Sequence, residues 1–230
     1  IGKQELFPVF CCSASQNMGS GRIMGFINDV CPSPAERPAA KLEGCGELEC
    51  GEDGYDTTVF VFKTISEPRV GLVSYFKVFC GTLRAGDELA NANPHPRERF
   101  GQVFITNGSK REPVTELKAG DIGVTVKLKN THTNNTLNTK GVDRKIEPMH
   151  FPEPRIRVAV KPPSKADMEK LMKALHQIEE EDPTLEVEQS KTLKQTLLFG
   201  QGQLHLDLIK HRIEMLHDVS MEFIKPRISF

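Results

Sequence analysis

The chain has 230 residues, 38% hydrophobic and 27% charged, with a formal net charge of −1. That length is comfortable for two domains, and no apolar run approaches the roughly 18 residues a membrane-crossing helix needs. The balanced charge excludes an argument from global attraction to nucleic acid or acidic membranes. Six cysteines without a framework spacing exclude a disulfide-stapled secreted domain and fit reduced thiols in a cytoplasmic protein.

Charge is nevertheless uneven. Residues 1–54 hold 4 basic and 8 acidic residues, net −4; residues 55–150 hold 14 and 10, net +4; residues 151–230 hold 12 and 13, net −1. The middle segment is thus the place to look for an anionic partner. Cys45 and Cys50 form a lone pair, without the second Cys or His pair that a tetrahedral zinc site requires, so no metal site is expected.

Phe7–Cys12 is a continuous apolar run, the pattern of a strand buried on both faces. A polar loop follows, and Ile23, Phe26, Ile27 and Val30 then recur at helical spacing until Pro32. One strand and one helix cannot cover a strand on both faces. Residues 1–38 therefore read as the last βα unit of a domain whose remainder is missing. Residues 39–54 are acidic, glycine-rich and cysteine-bearing, with few apolar side chains, and are expected to be a mobile linker or surface loop.

From residue 55 to 147 the texture is β. Thr57–Thr64, Leu72–Cys80, Phe100–Asn107 and Ile122–Leu128 are rich in Val, Phe, Ile and Thr and are separated by turn residues. Ser74, Phe76 and Val78 share one face of their strand, and Tyr75, Lys77 and Phe79 the other. Short strands at this spacing predict a closed or nearly closed barrel. Basic residues gather near strand ends and loops. Lys63, Arg69, Arg97 and Arg99 are the candidates for contact with an RNA backbone, against the simpler reading of a solvated surface.

Residues 148–230 form a third texture. Ile156, Val158 and Val160 alternate along a strand that Pro162 ends. Ser164 is placed to cap a helix by accepting a backbone N–H, with Asp167 returning the bond. Met168, Leu171, Met172, Leu175 and Ile178 make that helix's apolar stripe, and Asp182-Pro183 stops it. A strand with Leu185 and Val187 comes next, then Gln195–Phe199, then a turn attributed to positive φ at Gly200 and Gly202. In the second helix Leu206, Ile209, Ile213 and Leu216 make one buried stripe. Leu204, Leu208 and Met215 make a second, with His205 and Arg212 between the two. The wide arc has two readings: a thick core, or an edge at Leu204, His205, Leu208 and Arg212 that meets a second body. Val219–Lys225 supplies the last strand. The order βαββαβ is that of a ferredoxin-like sandwich. RNA-recognition modules of that order set stacking aromatics in a Lys/Arg-Gly-Phe pattern, which no strand here carries.

Taken in order, these pieces resemble the elongation factor G family of ribosome-dependent translational GTPases. The resemblance rests on Ser13-Ala14, Asn17-Met-Gly19 and Pro32-Ser-Pro34 at the start. In the β segment it rests on Gly81-x-Leu83-x-x-Gly86-Asp87, Ala119-Gly-Asp-Ile122 and Asn135-Thr-Leu137. In the third segment it rests on Phe151-Pro-Glu-Pro154, Glu181-Asp-Pro-Thr184 and Gly200-x-Gly-x-Leu-His-Leu206. Gln203 and Asp207 stand where the family usually has Glu, and the acidic, cysteine-bearing stretch 43–54 matches nothing expected of it, which points to a divergent paralogue.

The resemblance implies a remnant of an α/β GTPase domain over 1–38, a domain II barrel over 55–147 and a ferredoxin-like domain III over 148–230. It implies a parent that binds and hydrolyses GTP with Mg and acts in translocation. Its partners would be ribosomal RNA and small-subunit proteins, with a GTPase domain in cis against domain III. Ser13 and Ala14 would touch the guanine base. Tetracycline-type ribosome-protection factors share the architecture and are the rival within the family; a non-enzymatic ribosome- or RNA-binding module is the rival outside it. The phosphate-cradling Gly-x-x-x-x-Gly-Lys-Ser/Thr and the guanine-reading Asn-Lys-x-Asp are absent from these 230 residues. The segment alone is therefore expected neither to bind GTP measurably nor to hydrolyse it, and no catalytic set replaces the missing one.

Overall fold

The structure is a computed structural model that describes residues 5–51, 56–67, 70–93, 97–108, 110–190 and 192–227. Ahead of helix α1 (Ser20–Val30), Ser13 and Met18 exchange backbone hydrogen bonds at 3.0 Å. Gly19 carries the chain into the helix at φ 82, and a Cβ there would lie 3.2 Å from the Cys11 carbonyl oxygen. The strand expected over Phe7–Cys12 does not form. Those residues have no ladder partner among the described residues, and Phe7 and Val9 are 77% and 91% exposed. An apolar run becomes a strand once a neighbour takes its backbone groups, and no described residue does so. Helix α1 buries none of its residues, although Phe26 meets Phe10 edge-on at 4.8 Å.

In the stretch expected to be a mobile linker or surface loop, residues 40–48 are held against the half-barrel. Strands β1 (Ala40–Lys41) and β2 (Glu47–Leu48) pair antiparallel, and Leu42 bridges to Ile146. Leu48, Phe60, Cys80 and Ile146 make a small core there, with Phe62 and Phe79 packed on it. The Cys80 thiol donates to the Glu49 carbonyl at 3.0 Å, and Lys145 pairs with Glu43 at 2.7 Å. Burial pushes that thiol's pKa up, which keeps it protonated and inert.

Ten strands follow: β3 (Thr58–Glu67), β4 (Gly71–Cys80), β5 (Thr82–Arg84), β6 (Glu88–Asn91), β7 (Glu98–Arg99), β8 (Val103–Asn107), β9 (Lys110–Val114), β10 (Glu116–Lys118), β11 (Ile122–Val126) and β12 (Thr136–Asn138). Eight form one antiparallel sheet in the order β7-β6-β12-β3-β4-β11-β8-β9, while β5 pairs with β10. The sheet curls into a half-barrel with β7 and β9 at its edges, the open form of the closed or nearly closed barrel expected. A register shift between Val61 and Lys63 adds local twist. Val59, Val61, Phe76, Val78, Phe100 and Val103 fill the concave side, together with Leu83 and Leu117 from the β5–β10 ribbon. Gly123 lets the ribbon approach: a Cβ there would fall 2.2 Å from Leu117 Cδ1.

The last segment runs β13 (Ile156–Lys161), α2 (Met168–Glu181), β14 (Glu186–Ser190), β15 (Gln195–Gly200), α3 (Gln203–His217) and β16 (Glu222–Ile224). Its sheet order β14-β15-β13-β16 is antiparallel throughout, and both helices share one core with Val160 and Leu198. This is the expected βαββαβ sandwich. The cap of α2 differs from expectation. Ser164 Oγ donates to Asp167 Oδ2 at 2.9 Å, so the two side chains satisfy each other and no side chain caps the helix.

Candidate functional site

Helix α3 positions the candidate site. Leu206, Ile209 and Ile213 are buried at i, i+3 and i+7 and fix which side faces the sheet. Gly200 is needed for proximity and not for positive φ: an added Cβ would lie 2.7 Å from Leu206 Cδ2 and 3.2 Å from His205 Nδ1. Gly202, at φ 178, is extended backbone that any residue adopts. Leu216, expected in the buried stripe, is 57% exposed, in the last turn before the left-handed residue Asp218 ends the helix.

The second stripe faces out. Leu204 is 83% exposed, Leu208 55% and Met215 71%. The thick-core reading of this edge therefore fails, since nothing within the described residues covers it.

Behind that edge, two polar residues are braced. His205 Nδ1 accepts the Gln201 backbone N–H at 3.1 Å, so the neutral ring carries its proton on Nε2, which donates to Asp182 Oδ2 at 3.0 Å. With both nitrogens engaged, the imidazole is a positioned structural group and not a free base. Arg212 Nη2 donates to Glu181 Oε2 at 2.5 Å, and Glu181 Oε1 accepts the backbone N–H of Ser66, at the end of β3, at 2.9 Å. The Glu181 side chain is 8% exposed, so a nearly buried carboxylate joins the half-barrel to α3.

Asp182 is held by more than histidine. Thr184 donates to Asp182 Oδ1 through both its backbone N–H, at 2.9 Å, and its hydroxyl, at 2.6 Å. Burial works to raise the carboxyl's pKa, but the hydrogen bonds from Thr184 and His205 outweigh it and leave the group below the usual aspartate range. Glu181, Asp182 and Ser66 were not among the site residues read from the sequence. The signal was partial: Asp182 followed two residues later by Thr184 is the pattern of a side-chain-closed turn.

The basic candidates of the half-barrel are not gathered at one point. Lys63 is exposed on β3 at the register shift, while Arg97 and Arg99 are exposed at edge strand β7, with β6 and β12 between. Arg97 lies 3.6 Å from Glu88. Arg69 lies outside the described residues. Ser13 and Ala14 are found in the exposed turn before α1, where Ser13 Oγ is 3.4 Å from Ser15 Oγ. That turn offers no phosphate cradle and no lysine, so these residues do not fit a GTP·Mg site by themselves. Among the described residues, no group of three or more His, Cys, Asp or Glu could hold a metal, and no helix is long and apolar enough to cross a membrane.

Comparison with known proteins places these elements. The family model described as Elongation factor G domain 2 matches residues 56–140, and that described as Elongation Factor G, domain III matches residues 151–225. Together they account for more than half of the chain. A solved crystal structure of a protein from Thermus thermophilus superposes with a TM-score of 0.79 at 28% identity, covering 97% of this chain and 32% of its own. The chain thus spans about a third of the length of that protein. A curled β domain followed by a βαββαβ sandwich, matched separately by two consecutive domain models, means that this chain belongs to the elongation factor G family and carries its domains II and III.

Proposed function

We propose that these residues are the internal domains of a cytoplasmic, ribosome-dependent GTPase that acts in translocation, and that they transmit force without performing chemistry. The observation that carries this reading is the α3 edge. Leu204 and Leu208 are exposed apolar side chains, and the polar residues beside them, His205 and Arg212, are locked from behind by Asp182 and Glu181. An apolar pair flanked by braced polar groups is suited to seat a rigid second body, and a GTPase domain in cis is the occupant proposed. The exposed apolar side chains around α1, including Phe7, Val9 and Ile27, support the same arrangement. GTP and Mg would be held by that domain, with Ser13-Ala14 in contact with the base.

In this scheme the Ser66–Glu181–Arg212 contact carries displacement of α3 into the half-barrel, whose exposed Lys63, Arg97 and Arg99 face ribosomal RNA, while the sandwich meets small-subunit proteins. Deleting residues 56–225 from the full-length parent tests the reading by ribosome-stimulated GTP hydrolysis. Stimulation should vanish while nucleotide binding persists; stimulation that survives the deletion contradicts it.

A further inference from the structure

The end of the sandwich away from the Leu204 edge carries a cavity that the coupling role leaves unused. It has a volume of about 700 Å³ and lies where β13, β15 and β16 meet the start of α2. Buried Val160 and the exposed side chains of Met168 and Ile224 give it an apolar lining, and the exposed Lys161, Lys194 and Arg227 line it as cations. Among the described residues, no carboxylate lines it. Glu222 stands opposite Lys161 in the β13–β16 register, yet none of the three cations is ion-paired among the described residues.

Two of these residues have a distinctive backbone setting. Gln195 clamps Arg227 by its main chain, accepting the Arg227 N–H at 2.9 Å and donating to the Arg227 carbonyl at 3.2 Å. Lys194 adopts φ 49, a left-handed conformation that a residue with a Cβ seldom takes. Three cations on the rim of one cavity with an apolar lining match a ligand that is anionic at one end and flat and apolar at the other. The cavity's volume lies within the range of small-ligand sites, roughly 300–1,000 Å³.

We infer that this cavity binds a nucleotide, with its phosphate between Lys161, Lys194 and Arg227 and its base against Val160, Met168 and Ile224. The nucleotide is either one unit of a single-stranded RNA or a free mononucleotide, because the recognising chemistry is the same. This inference stands apart from the half-barrel's contact with RNA and does not rest on it.

The test uses the 230-residue chain with two probes, a fluorescein-labelled, 5′-phosphorylated octauridylate and free UMP. It compares Lys161→Ala/Lys194→Ala/Arg227→Ala with Lys63→Ala/Arg97→Ala/Arg99→Ala. The cavity variant should weaken octauridylate binding about tenfold or more. It should also flatten the slope of log K against log salt by roughly 0.7, the value for one single-strand phosphate that is no longer neutralised. UMP binding alongside it marks a mononucleotide site; octauridylate binding without UMP marks an RNA strand. Unchanged affinity in the cavity variant, or a loss confined to the half-barrel variant, overturns the assignment. NMR of the unsubstituted chain reads the site without relying on any variant's fold. Shifts induced by the bound probe at the Gln189, Thr196 and Ile224 amides support it, and their absence at saturation overturns it.

Discussion

The backbone N–H of Ser66 donates to Glu181 Oε1 at 2.9 Å, joining the last residues of β3 to the end of α2 across the boundary between half-barrel and sandwich. Because the other oxygen of the same carboxylate holds Arg212, the carboxylate cannot leave one partner without disturbing the other. Glu181→Gln keeps the shape and removes the charge, which weakens two charge-assisted hydrogen bonds and leaves a half-buried guanidinium without its counter-ion. The expected loss is about 2 kcal/mol. A urea midpoint that does not move would mean that the joint is incidental.

Asp182 makes stability depend on acid. Its carboxyl titrates lower in the folded chain than in the unfolded one. The unfolded state therefore binds more protons in that interval, and stability rises with pH there. This contribution is complete above the unfolded aspartate value, about 3.9, and is lost as pH falls through the lower folded value. Thermal midpoints of the unsubstituted chain should drop more steeply below about pH 4 than those of Asp182→Asn. Parallel pH profiles for the two proteins would remove Asp182 from the acid response.

The two glycines before α3 separate close packing from conformational freedom. Gly200→Ala should destabilise by about 1–3 kcal/mol, because its Cβ would enter the space of Leu206 Cδ2, whereas Gly202→Ala should cost far less. Calorimetry on both variants checks this; equal costs would mean that the turn is governed by its backbone angles.

Much of this architecture was readable from the sequence, and the parts that were not have physical reasons. The sandwich was legible because Leu171, Leu175 and Ile178 in α2, and Leu206, Ile209 and Ile213 in α3, keep a helical period over many residues. Strand β12 was not. Its Thr136 and Asn138 are buried polar side chains satisfied by distant partners: Asn138 Oδ1 accepts from Thr58 Oγ1 at 3.0 Å, and Thr136 Oγ1 accepts from the Ile146 N–H at 3.0 Å. Periodicity of apolar residues cannot register a strand buried in this way. Residues 40–48 misled for the opposite reason. They carry few apolar side chains, but Leu42 and Leu48 land on Ile146 and Phe60, and a ready-made apolar ledge holds them.

At the site, the Leu204 and Leu208 stripe was visible in the helical spacing, but its exposure was not, because spacing alone does not say which stripe meets the sheet. The bond between Ser66 and Glu181 spans 115 positions and leaves no local trace. Gln203 and Asp207, the two departures from the family pattern, hydrogen-bond each other at 2.9 Å. Two glutamates at those positions would instead set like charges one turn apart. The two residues are thus mutually compatible on an exposed turn beside the Leu204–Leu208 edge.

The account turns on the α3 edge being a working contact. Leu204→Asp/Leu208→Asp in the full-length parent, assayed for ribosome-stimulated GTP hydrolysis, tests that most directly. Both side chains are exposed, so the variant's melting temperature should stay close to the parent's, a stability change within about 0.5 kcal/mol. Stimulated turnover should fall by about tenfold or more, as a buried charge at an apolar contact costs more than about 1.4 kcal/mol. Normal turnover in a folded variant would contradict the account.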